Sequence, residues 1–259
     1  MEPMFSEFSY GYALTQELAT GKLGPIKGFP IFPSLRQEGR KGGGFDLEME
    51  YQYGAPLFLQ FKLSHYLYRT NALEWNIFGE PYYRIYLRPL RHSDQHNLLM
   101  VLESNNKDVY YVAPEFHTPD ELSEAYMNKQ VFDRSVFFSP LDIGNLPDDE
   151  YHYVVFVADS LIAYFYSEIE KEITIYRGQQ FVENIITRMD KERRKIDENF
   201  FDVITDRIVL SLKEMKRKVL KIEEHRKENV TLEDKAQFAS YLMRTYFDTE
   251  LLIIGREMQ

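Results

Sequence analysis

An aspartate at position 46 and a Gln-x-Lys triplet ending at position 62 are the residues of this chain best suited to chemistry. Asp46 opens a segment, 45–51, in which Asp46, Glu48 and Glu50 alternate with Leu47 and Met49. Gln60 and Lys62 lie in 57–64, where Phe58, Gln60, Lys62 and Ser64 alternate with Leu57, Leu59, Phe61 and Leu63. Alternation with a period of two marks a strand with two unlike faces, and Gly54-Ala55-Pro56 between the segments reads as a turn. Paired as neighbours, the two strands place a carboxylate, a carboxamide oxygen and an ammonium on one face. Asp46 and Gln60, with Glu48 as a further candidate metal ligand, are hard oxygen donors that suit Mg²⁺ or Mn²⁺. Such an ion polarises a phosphodiester and acidifies a water, while Lys62 positions that water or stabilises developing negative charge. The competing reading is a solvated sheet face with surface ion pairs, which contribute little.

The elements that must position these residues follow from the pattern around them. Ser6 to Leu18 has helical spacing of Phe8, Leu14 and Leu18, with Glu17 near its end. Residues 20–44 are rich in Gly and Pro and read as loops with one short strand near Phe29 to Phe32. Tyr82 to Leu87 and Val109 to Ala113 read as strands, and Ser93 as the N-cap of a helix running to about Glu103. The resulting order is helix, three strands, helix, strand. From Gly178 onward apolar residues recur at helical spacing, and Leu232 to Phe247 forms a last helix. This predicts an α/β domain over residues 1–160 and a helical region over 161–259, whose apolar stripe packs on the first domain or forms a homodimer.

Gly44-Phe45-Asp46 followed by Leu59-Gln60-Phe61-Lys62 resembles the Asp…(Glu/Gln)-x-Lys signature of the PD-(D/E)XK nucleases, and the Gln form is similar to the Mrr-like branch. The resemblance covers roughly residues 6 to 113. It implies a restriction-endonuclease-like αβββαβ core, a mixed sheet flanked by helices. It also implies metal-dependent hydrolysis of nucleic acid, DNA foremost, in restriction or anti-phage defence. Asp46 and Gln60 would hold the metal and Lys62 would assist the attacking water. Glu17 matches the acidic residue that the first helix of that superfamily often contributes. Gln60 departs from the commoner Glu and lacks its charge. A second hypothesis is therefore a non-catalytic module that keeps a degenerate nuclease-like fold and acts through a protein partner.

Composition bounds these readings. The 259 residues carry a formal net charge of -10 and no cysteine. Disulfides, thiolate metal sites and a Cys nucleophile are excluded. A strongly acidic chain argues against high standalone affinity for nucleic acid, because phosphate neutralisation drives such binding. The first residues lack the basic and long apolar stretches of a signal peptide, and no apolar run is long enough to span a bilayer, so the expectation is a cytoplasmic protein with no membrane partner.

Other motifs carry less. His92 and His96 are four apart, but two imidazoles are too few for a metal site; Gln95 and His96 are instead candidates to line a substrate groove. His65, three residues past Lys62, reads as a surface histidine or a proton carrier. Tyr82, Tyr83 and Arg84 either contact bases and phosphates or belong to a strand core. The run GRKGGG at 39–44 lacks the Gly-Lys-Ser/Thr ending of a phosphate loop and precedes a strand. No Gly-x-Ser-x-Gly elbow or dinucleotide fingerprint occurs. The cluster Lys213, Lys216, Arg217, Lys218 and Lys221 reads as the solvated side of an amphipathic helix or as a contact to a nucleic-acid backbone.

Overall fold

The computed structural model describes residues 1–20, 26–30, 53–106, 108–166, 170–192, 194–217 and 230–256. Asp46, Glu48 and the expected strand 45–51 lie outside the described residues. In chain order the elements are α1 (Glu7–Ala19), β1 (Ile26–Pro30), β2 (Tyr53–Phe61), β3 (His65–Leu67), α2 (Trp75–Phe78), β4 (Tyr82–Leu87), α3 (Gln95–Asn105), β5 (Val109–Pro114), α4 (Pro119–Met127), β6 (Ser135–Phe138), α5 (Pro140–Ile143), β7 (His152–Phe156), β8 (Ile162–Tyr166), β9 (Lys171–Thr174), α6 (Gly178–Glu192), α7 (Glu198–Glu214), α8 (Leu232–Leu242), a π-helical turn (Met243–Phe247) and β10 (Glu250–Arg256).

The strands form two five-stranded sheets. The first has the order β1-β10-β2-β5-β6; β2 and β5 run parallel and the other pairs antiparallel, so it is mixed. The second, β3-β4-β7-β8-β9, is antiparallel throughout. Helices flank the sheets. The architecture is α/β, as the sequence indicates.

β2 is the axis of the first sheet, and both its faces are covered. Leu57, Leu59 and Phe61 pack with Tyr10, Leu14 and Leu18 of α1 and with Phe181, Val182 and Ile185 of α6. Phe58 packs on the other side with α3, α7, α8 and the second sheet. Ser6 starts α1 by accepting a hydrogen bond from the Ser9 N–H at 3.1 Å, a side-chain N-cap. The face α1 buries is Tyr10, Ala13, Leu14 and Leu18, and Phe8 points to solvent instead. Gly11 lets α1 approach: a Cβ there would sit 3.3 Å from the Phe61 ring.

Three expectations need correction. Gly54-Ala55-Pro56 is part of β2, not a turn. A Cβ on Gly54 would fall 2.5 Å from Ile196 Cδ1, so glycine serves close packing here. Pro56 precedes the first β5 pair, Phe58 with Val109, so its missing N–H faces a side where the ladder has not begun. Second, the antiparallel neighbour of β2 is β10 from the far end of the chain, with Glu250 opposite Leu59 and Arg256 opposite Tyr53. Third, residues 161–259 are not a purely helical region. They supply β8 and β9 to the second sheet and β10 to the middle of the first, and residues from both sides of position 160 share both hydrophobic cores. The apolar stripe of α7, including Phe201, Ile204, Ile208 and Leu212, is spent within the chain. This removes the observation that motivated a homodimer through the C-terminal helices. Among the described residues no helix is long and apolar enough to cross a membrane.

Candidate functional site

The C-terminal end of β2 carries Gln60, and Lys62 follows one residue beyond it. They are 2% and 9% exposed, so the reading of Lys62 as part of a solvated face fails. The chain turns out of the first sheet here. The Lys62 N–H still donates to Val112 O at 2.9 Å, which fixes its side chain on the same side as Gln60.

Gln95, the first residue of α3, ties the two together. Lys62 Nζ donates to Gln95 Oε1 at 3.1 Å, and Gln95 Nε2 donates to Gln60 Oε1 at 2.9 Å. Gln60 Oε1 also accepts from Thr249 Oγ1 at 3.1 Å. Gln95 Nε2 further reaches Phe247 O at 3.2 Å and Asp248 Oδ2 at 3.4 Å. One amide thus joins the end of β2 to the residues that lead into β10. The location of Gln95 follows from α3: the Ser93 hydroxyl accepts the Gln95 N–H at 3.2 Å, and Asp94, not Ser93, is the N-cap residue. Gln95, expected to line a substrate groove, lies against Gln60 and Lys62.

Asp248 arrives through the antiparallel pairing of β10 with β2, which sets the start of one strand beside the end of the other. It adopts the left-handed conformation, φ 52°, where it ends the π-helical turn by donating its N–H to Met243 O. Aspartate tolerates this conformation better than most residues, yet a non-glycine residue held there is a mark of constraint.

Burial pushes the Lys62 ammonium below the ordinary lysine range; Glu7 and Asp248 oppose that shift and Arg88 adds to it. Burial likewise raises the Glu7 carboxyl, with Lys62 the leading opposing influence. Glu7, Arg88 and Asp248 are exposed, so a buried ammonium lies beneath a rim of exposed charges of both signs. The Lys62 ammonium also lies 5.6 Å from the centre of the Tyr111 ring, and Tyr111 stacks on His96. His96 is not a groove residue. Its Nδ1 bonds Tyr111 Oη at 3.0 Å and its Nε2 bonds Gly144 O at 2.8 Å, inside the core.

Glu17 does not belong to this site. Its carboxylate accepts the backbone N–H groups of Val131 at 2.9 Å and Phe132 at 2.8 Å, among the residues packed on the α1 side of the sheet. Gln60 and Lys62 project from the opposite side. The acidic residue that α1 brings to Lys62 is Glu7, in its first turn.

Sequence reasoning missed Asp248, Thr249, Glu7 and Arg88. A signal for Asp248 was present: Phe247-Asp248 precedes an apolar strand, much as Phe45-Asp46 does. Among the described residues the oxygen groups gathered by Gln95 at this end of β2 and β10 are the Gln60 carboxamide and the Asp248 carboxylate; oxygen donors of this kind suit hard divalent cations better than zinc. Among the described residues no group of three His, Asp or Glu side chains clusters as a complete ligand shell; Mg²⁺ commonly needs only one or two carboxylates and completes its shell with water and phosphate. No family model matches the chain, nor does any curated protein or solved structure.

Proposed function

We propose that the chain is a metal-dependent phosphodiester hydrolase of nucleic acid, DNA foremost, built on a PD-(D/E)XK-like plan. One observation carries the reading: an ammonium is buried at the end of a central strand and is linked through Gln95 to Gln60 and to the Asp248 carboxylate. Burying a charged lysine opposes folding unless its surroundings compensate, and titratable groups perturbed this way concentrate at functional sites. The element order lends further support. α1 lies on one face of β2, and α3 leads from the second sheet into β5, parallel to β2; with β3, α2 and β4 set aside, the described order α1-β1-β2-α3-β5 is one strand short of an αβββαβ core and otherwise follows it.

In this reading Mg²⁺ or Mn²⁺ is held by Asp46 and Gln60, with Glu48 or Asp248 as further oxygen donors, and when bound it supplies electrophilic polarisation of the phosphate. Lys62 orients the nucleophilic water and offsets negative charge on the phosphoryl oxygens. Gln95 holds both Lys62 and Gln60 in position. Restriction or anti-phage defence is the setting the family resemblance implies.

A second reading, a nuclease-like fold that acts without catalysis through a protein partner, draws on Gln60 Oε1, which already accepts two hydrogen bonds. One set of assays separates the two. Labelled duplex DNA, single-stranded DNA and RNA are incubated with the protein and Mg²⁺ or Mn²⁺, alongside Asp46→Ala, Lys62→Ala and Asp248→Asn. The hydrolase reading expects cation-dependent cleavage that Asp46→Ala and Lys62→Ala abolish, with a Mn²⁺-induced rise in melting temperature that Asp46→Ala removes. Cleavage equal in all variants ends the hydrolase reading, and absence of both cleavage and cation binding leaves the non-catalytic one.

A further inference from the structure

A second constellation lies three residues beyond Lys62, on the solvent-facing side of the second sheet. His65 of β3, Arg84 and Tyr86 of β4, Tyr153 of β7 and Tyr151 just before it line a cavity of about 260 Å³. The strand register builds it. His65 pairs with Arg84, and Tyr86 lies directly opposite Tyr153. Their neighbours Tyr83, Ile85 and Leu87 face the core, so the alternation leaves Arg84 and Tyr86 pointing outward.

Three tyrosines gather here on the side of β4 where Phe78 of α2 packs on Tyr82. Tyr86 is 5.4 Å from Tyr151 and 6.0 Å from Tyr153, ring centre to ring centre, and Tyr151 remains 53% exposed. The Arg84 guanidinium lies 4.6 Å from the centre of the Tyr153 ring, and buried Glu74 holds it at 3.3 Å. Glu74 is fully buried and also accepts the Tyr82 hydroxyl at 2.7 Å; Tyr82 and Arg84 share the outward side of β4, so Glu74 anchors the arginine from along that side. The cavity is smaller than the roughly 300–1,000 Å³ of sites for drug-sized ligands, a size for one planar ring system rather than a large cofactor. Two residues beyond Tyr86 stands Arg88, one of the charges that act on Lys62. Arg91 pairs at 3.8 Å with Glu150, the residue before Tyr151.

We infer that this face is a stacking subsite for an unpaired base of single-stranded nucleic acid whose backbone continues toward Lys62. The inference takes from the hydrolase reading only that nucleic acid passes Lys62. Aromatic faces accept any base by stacking, and arginine adds attraction both to the base and to the adjoining phosphate.

The test is fluorescence anisotropy of an end-labelled eight-nucleotide thymidine oligomer, titrated with the full chain in EDTA so that binding is read apart from cleavage. Tyr151→Ala changes an exposed residue, and Tyr86→Leu keeps an apolar strand side chain; circular dichroism melting checks both. The inference expects salt-sensitive binding that each substitution weakens about tenfold. It also expects thymidine monophosphate to compete at least tenfold less well than the oligomer. Unchanged affinity in both variants at wild-type melting temperature overturns it, as does absence of binding. Equal competition by the mononucleotide overturns the single-strand assignment. Binding lost in the tyrosine variants of a protein that shows no cation-dependent cleavage would sink the hydrolase reading and keep the subsite. Cleavage that persists with undiminished oligomer binding in both variants would do the reverse.

Discussion

A lysine ammonium that is 9% exposed, with a glutamine as its hydrogen-bond partner, is in an unfavourable place for a charge. Its folded-state pKa lies below the unfolded value, so the folded form sheds this proton first as pH rises, and stability increases with pH through that range. At neutral pH the charge therefore opposes folding. Lys62→Met is expected to keep or raise the melting temperature while cleavage falls by more than about a hundredfold; a merely structural lysine would lower both. Glu103 provides a pH prediction of opposite sign. Burial is the leading cause that raises its carboxyl from 4.5 to about 7, against the hydrogen bonds it accepts from Ser139 Oγ and the Leu141 N–H. The folded state then binds the proton more tightly, so this contribution is complete below about pH 4.5 and is lost as pH climbs through about 7. Urea unfolding at pH 5 and pH 8 should show a loss on the order of 1–3 kcal/mol, which Glu103→Gln removes.

At the scale of elements, α1 divides its acidic residues between two duties. Glu7 in the first turn faces Lys62, whereas Glu17 in the last turn secures the backbone that leads into β6. Glu17→Gln is expected to destabilise the fold by about 1–3 kcal/mol, because an amide NH₂ would confront one of two buried N–H donors, with the cleavage rate of folded protein unchanged. Equal loss of rate and stability would return Glu17 to the site. The same helix shows what a sequence discloses. Periodicity located α1 and β2 within a few residues, and capping and apolar strand composition did the same for α3, β4 and β5. It set Gln60 and Lys62 on a common side of β2, and both lie there. It could not tell that this side is buried, since burial of β2 on both faces depends on α3, α7, α8 and the second sheet arriving from elsewhere. Glu17 was misplaced because helical spacing gives a face but not the partner beneath it. Gly54 and Pro56 looked like a turn because what they meet, Ile196 beside Gly54 and Ile253 opposite Pro56, is far along the chain.

At the scale of the whole molecule, β10, from the far end of the chain, is an interior strand of the first sheet. β10 joins β1 to β2, so among the described strands β1 pairs with β10 alone, and Asp248 reaches Lys62 only when the β10–β2 pairing is complete. Pairings this distant in sequence are slow to form. A chain ending at Asp248 is expected to be insoluble or to lack cooperative melting by circular dichroism; a soluble truncate with a wild-type transition would show the strand to be dispensable. The net charge of -10 sits beside a locally mixed rim at Lys62, Glu7, Arg88 and Asp248, so affinity for a polyanion depends on that local surface. The central claim is that the buried ammonium at the end of β2 serves phosphodiester hydrolysis, and the most direct test is the initial rate of labelled DNA cleavage in Mn²⁺ by the wild-type chain and by Lys62→Met at matched folded fraction. A measurable rate is expected for the first and a fall of more than about a hundredfold for the second; equal rates in the two proteins would remove Lys62 from the chemistry.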